Sequence, residues 1–329
     1  MRERVLQFGD AGALIGIVTE PESAPHTTGV ILMNSGLIHR VGPNRLYVGL
    51  ARELSRSGFT VLRMDFSGVG DSDVRRDHLP YEKSSLLEVR DAMGELTRMY
   101  GIERFLLAGI CSGAEAAVQI AEADARVIGI LPIEFYGYET AWYWLYSYRR
   151  RLLQVRSWRR LLTGRSELLG SIISRLWLRS DRGESRSAAP PSAGNAPSLP
   201  VRQRRERVAR SFQALAERGV RVCLVYGAGP SYFNYRTLFR RLRGVKAQGL
   251  LRVVHLKASD HTFTLLENQQ QLREAVVSWA VGEFGVGSRE PAGSRGAGVS
   301  KYEREPPEVE ARGRLIGAAQ ANPVRGVSS

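Results

Sequence analysis

The stretch Phe105-Leu-Leu-Ala-Gly109-Ile110-Cys111-Ser112-Gly113-Ala114 constrains the fold more than any other part of the chain. An apolar run of strand character leads into it and an Ala-rich run of helical character leaves it. Gly-x-Cys-x-Gly in that setting is the pattern of a nucleophile elbow, a one-residue turn between a strand and a helix. The central residue takes a strained backbone conformation. The residues two before and two after it must be small, or strand and helix collide. The Cys111 side chain then projects beyond the sheet at a helix N-terminus, where unpaired amides and the helix dipole favour a thiolate. The N–H of Ser112 faces the place where an oxyanion would develop. Ser112 is a second candidate nucleophile, but the spacing puts it one residue past the apex. The competing interpretation is a Gly-rich turn around a buried cysteine, and the flanking strand and helix argue against it.

Around this turn the chain alternates short apolar runs with helix-period segments. Val5–Phe8 and Leu14–Thr19 suggest a hairpin about Gly9–Gly12. Strands follow at Gly29–Met33, Phe59–Met64, Phe105–Ala108 and Val127–Ile133, with helices at Arg45–Ser57, Ser84–Tyr100 and Ala114–Ala123 between them. After Tyr138 the rhythm breaks into an aromatic, Arg-rich segment, and Ser185–Pro200 has the composition of a disordered insert. A helix at Val201–Arg218, strands at Val222–Tyr226 and Leu251–His255 and a last helix at Leu265–Phe284 resume the pattern. The expectation is an α/β chain built on a mostly parallel sheet with helices on both faces. The core is expected at 1–137 and 211–286, a helical lid at 138–210, and a disordered tail at 287–329.

Composition removes several function classes. Two cysteines, Cys111 and Cys223, make neither a disulfide framework nor a zinc pattern. The start lacks the apolar core of a signal peptide and no run is long enough to span a membrane, so a cytoplasmic location is expected. The net charge of +14 invites a nucleic-acid partner. The basic residues are almost all arginine, cluster in the inserted region and follow no nucleic-acid motif, so none is expected. No cofactor or metal is expected: the Asp65–Asp73 loop has no Walker lysine and no calcium-ligand spacing, and its glycines suit a tight turn out of a strand.

A cysteine nucleophile needs a base. His261, in Lys257-Ala-Ser-Asp-His261-Thr-Phe263 after the last strand, is the candidate, against the alternative of a surface loop histidine. His255, inside a strand, suits a core or face position. The third member is harder to place, because no Asp or Glu occurs between Glu217 and Asp260. Glu134, at the end of the preceding strand, is placed to orient His261, or to pair with lid arginines instead. Asn234 offers an uncharged substitute, and a Cys–His dyad is the remaining possibility, since a thiol pKa of about 8.5 needs less help than a hydroxyl. The second oxyanion donor is expected from Gly36 or Leu37 in the loop after Gly29–Met33. His39 and Arg40 are candidates for the site entrance, Tyr138 and Trp142 for contact with a bulky apolar substrate; loop anchoring and packing are the competing roles.

The stretch Asn34–Asp73, with GICSGA at Gly109–Ala114 and SDHTF at Ser259–Phe263, resembles the bacterial serine-aminopeptidase-like α/β hydrolases. It is most similar to the branch of exosortase-system-associated hydrolases, whose relatives also occur near polyketide and peptide synthase genes. The resemblance covers roughly residues 1–285 apart from the insert Ser185–Pro200. It implies the α/β-hydrolase fold with a helical lid, and a hydrolase or acyltransferase. The acid position departs from the family pattern. The leading expectation is covalent catalysis by Cys111 and His261 on an ester, thioester or lactone, free or carrier-bound. Elimination or cyclisation of a metabolite in the same pocket, and a non-catalytic binding role, are the alternatives. The basic lid suggests contact with an acidic carrier protein or a membrane surface.

Overall fold

The structure is a computed structural model, and it describes residues 1–22, 26–138, 200–229, 231, 232, 238 and 241–285. Trp142, Asn234, most of the expected lid and the expected tail lie outside the described residues. The body is an eight-stranded sheet in the order β1-β2-β4-β3-β5-β6-β7-β8. The strands are β1 (Arg2–Phe8), β2 (Leu14–Glu20), β3 (Thr28–Met33), β4 (Thr60–Met64), β5 (Arg104–Ile110), β6 (Val127–Ile133), β7 (Arg221–Tyr226) and β8 (Leu251–His255). β2 pairs antiparallel with β1 and with β4, and every other neighbour is parallel. This is the mostly parallel sheet expected from the alternating pattern.

The central strands are apolar on both faces because both faces are covered. Along β5, Phe105 and Leu107 enter one core while Leu106, Ala108 and Ile110 enter the other. The helices are α1 (Leu46–Arg56), α2 (Tyr81–Tyr100), α3 (Ser112–Ala123), α4 (Val201–Glu217), α5 (Arg243–Ala247) and α6 (Leu266–Phe284). α1 and α6 pack together on one face through Leu50, Leu54, Leu272, Val276 and Trp279. On the other face lie α2, α3 and α4, with Val89, Met93, Ala117, Phe212 and Leu215 buried between them and the sheet. Each fully buried Leu or Phe in these layers contributes roughly 2 kcal/mol.

Several boundaries move from their expected places for identifiable reasons. α2 begins at Tyr81 because the carbonyl of Pro80 accepts the N–H groups of Lys83 and Ser84, at 2.9 and 3.0 Å. α3 begins at Ser112 and so carries Gly113 inside its first turn. α4 runs as one helix, as expected, with Phe212 and Leu215 anchoring its second half. α5 is too short for its single buried residue, Val245, to produce a period.

The parallel register aligns the C-terminal ends of β5, β6, β7 and β8: Ile110 stands beside Ile133, Ile133 beside Val225, and Tyr226 beside His255. β3 lies between β4 and β5, so the connections run to opposite sides of it. The crevice beyond β3 and β5 is the switch point where α/β sheets bind ligands.

The loop after β3 is fixed by one carboxylate. Asp65 is buried, and its side chain accepts Asn34 Nδ2 at 3.1 Å, the Arg40 N–H at 2.5 Å, the Arg40 guanidinium and the Asp71 N–H at 3.3 Å. Gly70 is required beneath it, because a Cβ there would lie 2.2 Å from Asp65 Oδ2. The Asp65–Asp73 loop is therefore a structural turn. Asp65→Ala removes the acceptor of all four groups, and the expected cost is on the order of 3 kcal/mol in urea unfolding. A change below about 0.5 kcal/mol would show that the loop is held by other means.

Candidate active site

Cys111 is the single residue between β5 and α3, with φ 56° and ψ −111°. For an L-residue such a conformation costs on the order of 1–3 kcal/mol and persists only when its surroundings enforce it. Here the N–H of Cys111 donates to Ile133 O at 3.0 Å, and its carbonyl accepts Ala114 and Glu115 at 3.0 and 3.2 Å. One residue earlier, the Ile110 N–H donates to the Tyr47 hydroxyl at 3.0 Å. A Cβ at Gly109 would lie 2.4 Å from the Gly113 carbonyl carbon, and one at Gly113 would lie 2.4 Å from Asn34 O. Neither position accepts a side chain, so the close approach of strand, helix and the β3 loop depends on these glycines. The Cys111 side chain is half-buried. Cys223 is fully buried in β7, and burial pushes its thiol up to about 12. The two cysteines are thus chemically unlike.

His261 stands between Cys111 and Glu134. The Cys111 sulfur is the largest influence on the charge of its ring, and its Nδ1 lies 3.3 Å from Glu134 Oε2. Glu134 follows β6 directly, is wholly buried, and has φ 54°. Its N–H donates to Val225 O at 2.8 Å. Its carboxylate also accepts the Gly227 N–H and the Ser231 hydroxyl. The missing acid after β7 and the glycine at its end have one explanation: Gly227 and Gly229 leave room for a carboxylate from the neighbouring strand. A Cβ on either would approach Glu134, to 3.0 and 3.4 Å.

The His261 loop is held from several sides. Asp260 accepts the Thr262 hydroxyl at 2.8 Å and the Thr264 N–H at 2.8 Å. Asn44 Nδ2 reaches Thr262 O at 3.2 Å, and Gln269 Nε2 donates to Phe263 O and Asn44 O at 3.0 and 3.2 Å. Phe263 is buried with φ 53°. Cys111, Glu134 and Phe263, two residues past His261, all have positive φ, and strain concentrated in this way is typical of functional sites.

The remaining candidates separate by their contacts. Ser112 lies in the first turn of α3, and its hydroxyl accepts the Gly36 N–H at 2.7 Å and influences the Tyr81 phenol. Gly36 (φ 55°) and Leu37 form the exposed tip of the β3 loop beside the elbow. Arg40 is committed to Asp65 and Asp71, which serves loop anchoring. His39 is exposed, and its carbonyl accepts Gly42 N–H at 2.9 Å. Tyr138 is buried in the main core with Arg205 over its ring, a packing position. His255 stacks on Tyr232 at 3.5 Å between ring centroids, and burial lowers its pKa. Among the described residues, no group of three or more His, Cys, Asp or Glu is placed to hold a metal. No described helix is long and apolar enough to cross a membrane. Sequence reasoning missed Tyr81, Ser231 and Gly227, which act by reaching partners far along the chain; only the paired glycines after β7 offered a signal.

The Cys111 sulfur, and after it the Glu134 carboxylate, raise His261 to about 10 against an opposing effect of burial. Its imidazole is therefore protonated at neutral pH. Folding raises this group above the unfolded value of about 6.5. Its contribution to stability is full below about pH 6.5 and is lost as pH rises through about 10.

No protein-family model matches the chain, and no curated protein matches it. The solved structures similar to it include an esterase of Pyrococcus furiosus, 11% identical over 85% of this chain and 90% of that one, with TM-score 0.55. Another is the esterase domain of a Rhodothermus marinus protein, 17% identical over 85% of this chain and 98% of that one, with TM-score 0.51. The likeness is one of fold: the chain has the α/β-hydrolase fold.

A histidine-selective NMR titration tests the electrostatics of the site. The His261 ring should titrate near 10 in the native protein. Glu134→Gln should bring the midpoint down towards 6.5, and Cys111→Ala should bring it further. A wild-type midpoint at 6.5 would mean that His261 meets neither partner.

Proposed function

We propose that the chain is an enzyme of acyl chemistry that uses Cys111 as nucleophile, His261 as proton carrier and Glu134 as the orienting acid. The observation that carries this reading is that the charge of His261 is set by both the sulfur at the strained turn and a fully buried carboxylate. The strained apex belongs to Cys111, and Ser112 is the first residue of the helix that follows, which supports the cysteine over its neighbour.

In this reading His261 is already the imidazolium when substrate arrives, and it stands as the positive partner of the sulfur as that sulfur attacks. Sulfur attacks the carbonyl of an ester, thioester or lactone. The carbon–sulfur bond forms and the π electrons move to oxygen. That oxygen is met by the Ser112 N–H, one of the unpaired amides of the first turn of α3, and by the Leu37 N–H at the loop tip, because the Gly36 N–H is taken up by the Ser112 hydroxyl. His261 gives its proton to the departing oxygen or sulfur as that bond breaks, leaving a thioester on Cys111. The neutral imidazole then takes a proton from water or an acceptor alcohol or amine, which attacks the thioester. Collapse returns the thiolate and the imidazolium. Glu134 holds the ring in one orientation throughout, as the third member of a triad does. General acid–base transfer of this kind contributes about 10²–10⁴-fold.

Exposure to p-nitrophenyl acetate followed by intact mass measurement tests the assignment. The wild type should gain one acetyl group, Cys111→Ala none, and Ser112→Ala should still carry its acetyl group on Cys111. Glu134→Gln should slow the acetylation by about 10²-fold. An acetyl group found on Ser112, or equal labelling of wild type and Cys111→Ala, would sink the proposal.

A further inference from the structure

Ser112 is left over when Cys111 takes the role of nucleophile, yet its side chain is not idle. Its hydroxyl oxygen accepts the Gly36 N–H at 2.7 Å, across a separation of 76 positions in sequence, and it is near enough to the Tyr81 phenol to influence its charge. Tyr81 is the first residue of α2, with its ring edge-on to the buried Phe66 at 5.7 Å between centroids. Burial pushes its phenol up to about 12, so it is a neutral hydrogen-bonding group throughout the working range.

The loop that Gly36 caps is secured elsewhere. Asn34 and Arg40 tie its two ends to Asp65, and the Ile38 N–H closes it on Ser35 O at 3.0 Å. Gly36 itself is exposed, has φ 55°, and a Cβ there would meet nothing within 4 Å. Packing therefore does not define the tip. Among the described residues, the bond to Ser112 is what joins it to the elbow. A site that stabilises an oxyanion depends on donors held in place before the charge appears.

Building on the nucleophilic role of Cys111, we infer that Ser112 and Tyr81 are positioning residues: the phenol orients the hydroxyl, and the hydroxyl pins the tip of the β3 loop against the elbow to set the oxyanion donors. Two reactions of the same sulfur separate this role from a general structural one. Acetylation by p-nitrophenyl acetate passes through an oxyanion, and alkylation by iodoacetamide does not.

Ser112→Ala is expected to slow acetylation about tenfold and to leave the alkylation rate of Cys111 within twofold of wild type. Ser112→Thr should restore most of the acetylation rate. Tyr81→Phe should slow acetylation severalfold in the native background and add nothing to Ser112→Ala, because Tyr81 acts through the hydroxyl. Unchanged acetylation in Ser112→Ala would overturn the inference, as would a parallel fall in alkylation. A wild type that is alkylated at Cys111 but never acetylated would remove the proposed enzymatic role itself. That failure appears before any variant is made, and is thereby distinguishable.

Discussion

The site rests on a turn of one residue. β5 becomes α3 at Cys111 with no linker, and this is possible only because Gly109, Gly113 and the Asn34 carbonyl approach more closely than any side chain allows. The strain at Cys111 is offset by bonds on either side, to Ile133 O and from Ala114 and Glu115. That geometry has three consequences at once. It lifts the sulfur clear of the sheet, aims the first amides of α3 at the same space, and brings the β3 loop within reach of Ser112. A longer connection would separate these features and leave an ordinary helix N-terminus.

The charges follow from the sheet register. The ends of β5, β6 and β7 lie side by side, so a carboxylate after β6 can reach the space that an acid after β7 would otherwise fill. Glu134 is wholly buried, and an uncompensated carboxylate in that position would cost several kcal/mol. The Gly227 N–H, the Ser231 hydroxyl and the His261 ring meet it instead. The histidine is then flanked by sulfur and carboxylate, and holds its proton well above neutrality. A serine at the apex would need a neutral base to remove its proton. A cysteine works with an imidazolium, so the residue type at 111 and the charge state of His261 suit one another.

Much of this was legible in the residues, and the legible parts share a physical character. Strand and helix positions came from local periodicity, because the central strands are buried on both faces and the helices on one. The elbow came from two glycines at fixed spacing from Cys111. Glu134 was recognisable as a candidate, but not its standing against Asn234 or a dyad, because the choice depends on which strand is neighbour to which. The same holds for Ser231, whose partner lies 97 positions away, and for Tyr81, which a helix and a strand separate from Ser112 in sequence. Arg40 and Tyr138 show the opposite case: residue types suited to a binding site are used for loop anchoring and core packing. Chain-distant hydrogen bonds leave no period and no motif, and are settled only by topology.

Alkylation of Cys111 by iodoacetamide at neutral pH, compared between wild type and His261→Ala, probes the pairing of sulfur and imidazolium most directly. Cys223, buried in β7, serves as the unreactive internal reference. Reaction of the wild type at least tenfold faster than a free thiol, falling to the free-thiol rate in His261→Ala, is the predicted result. Equal rates in the two proteins would contradict the pairing, and with it the proposed role of Cys111 as nucleophile.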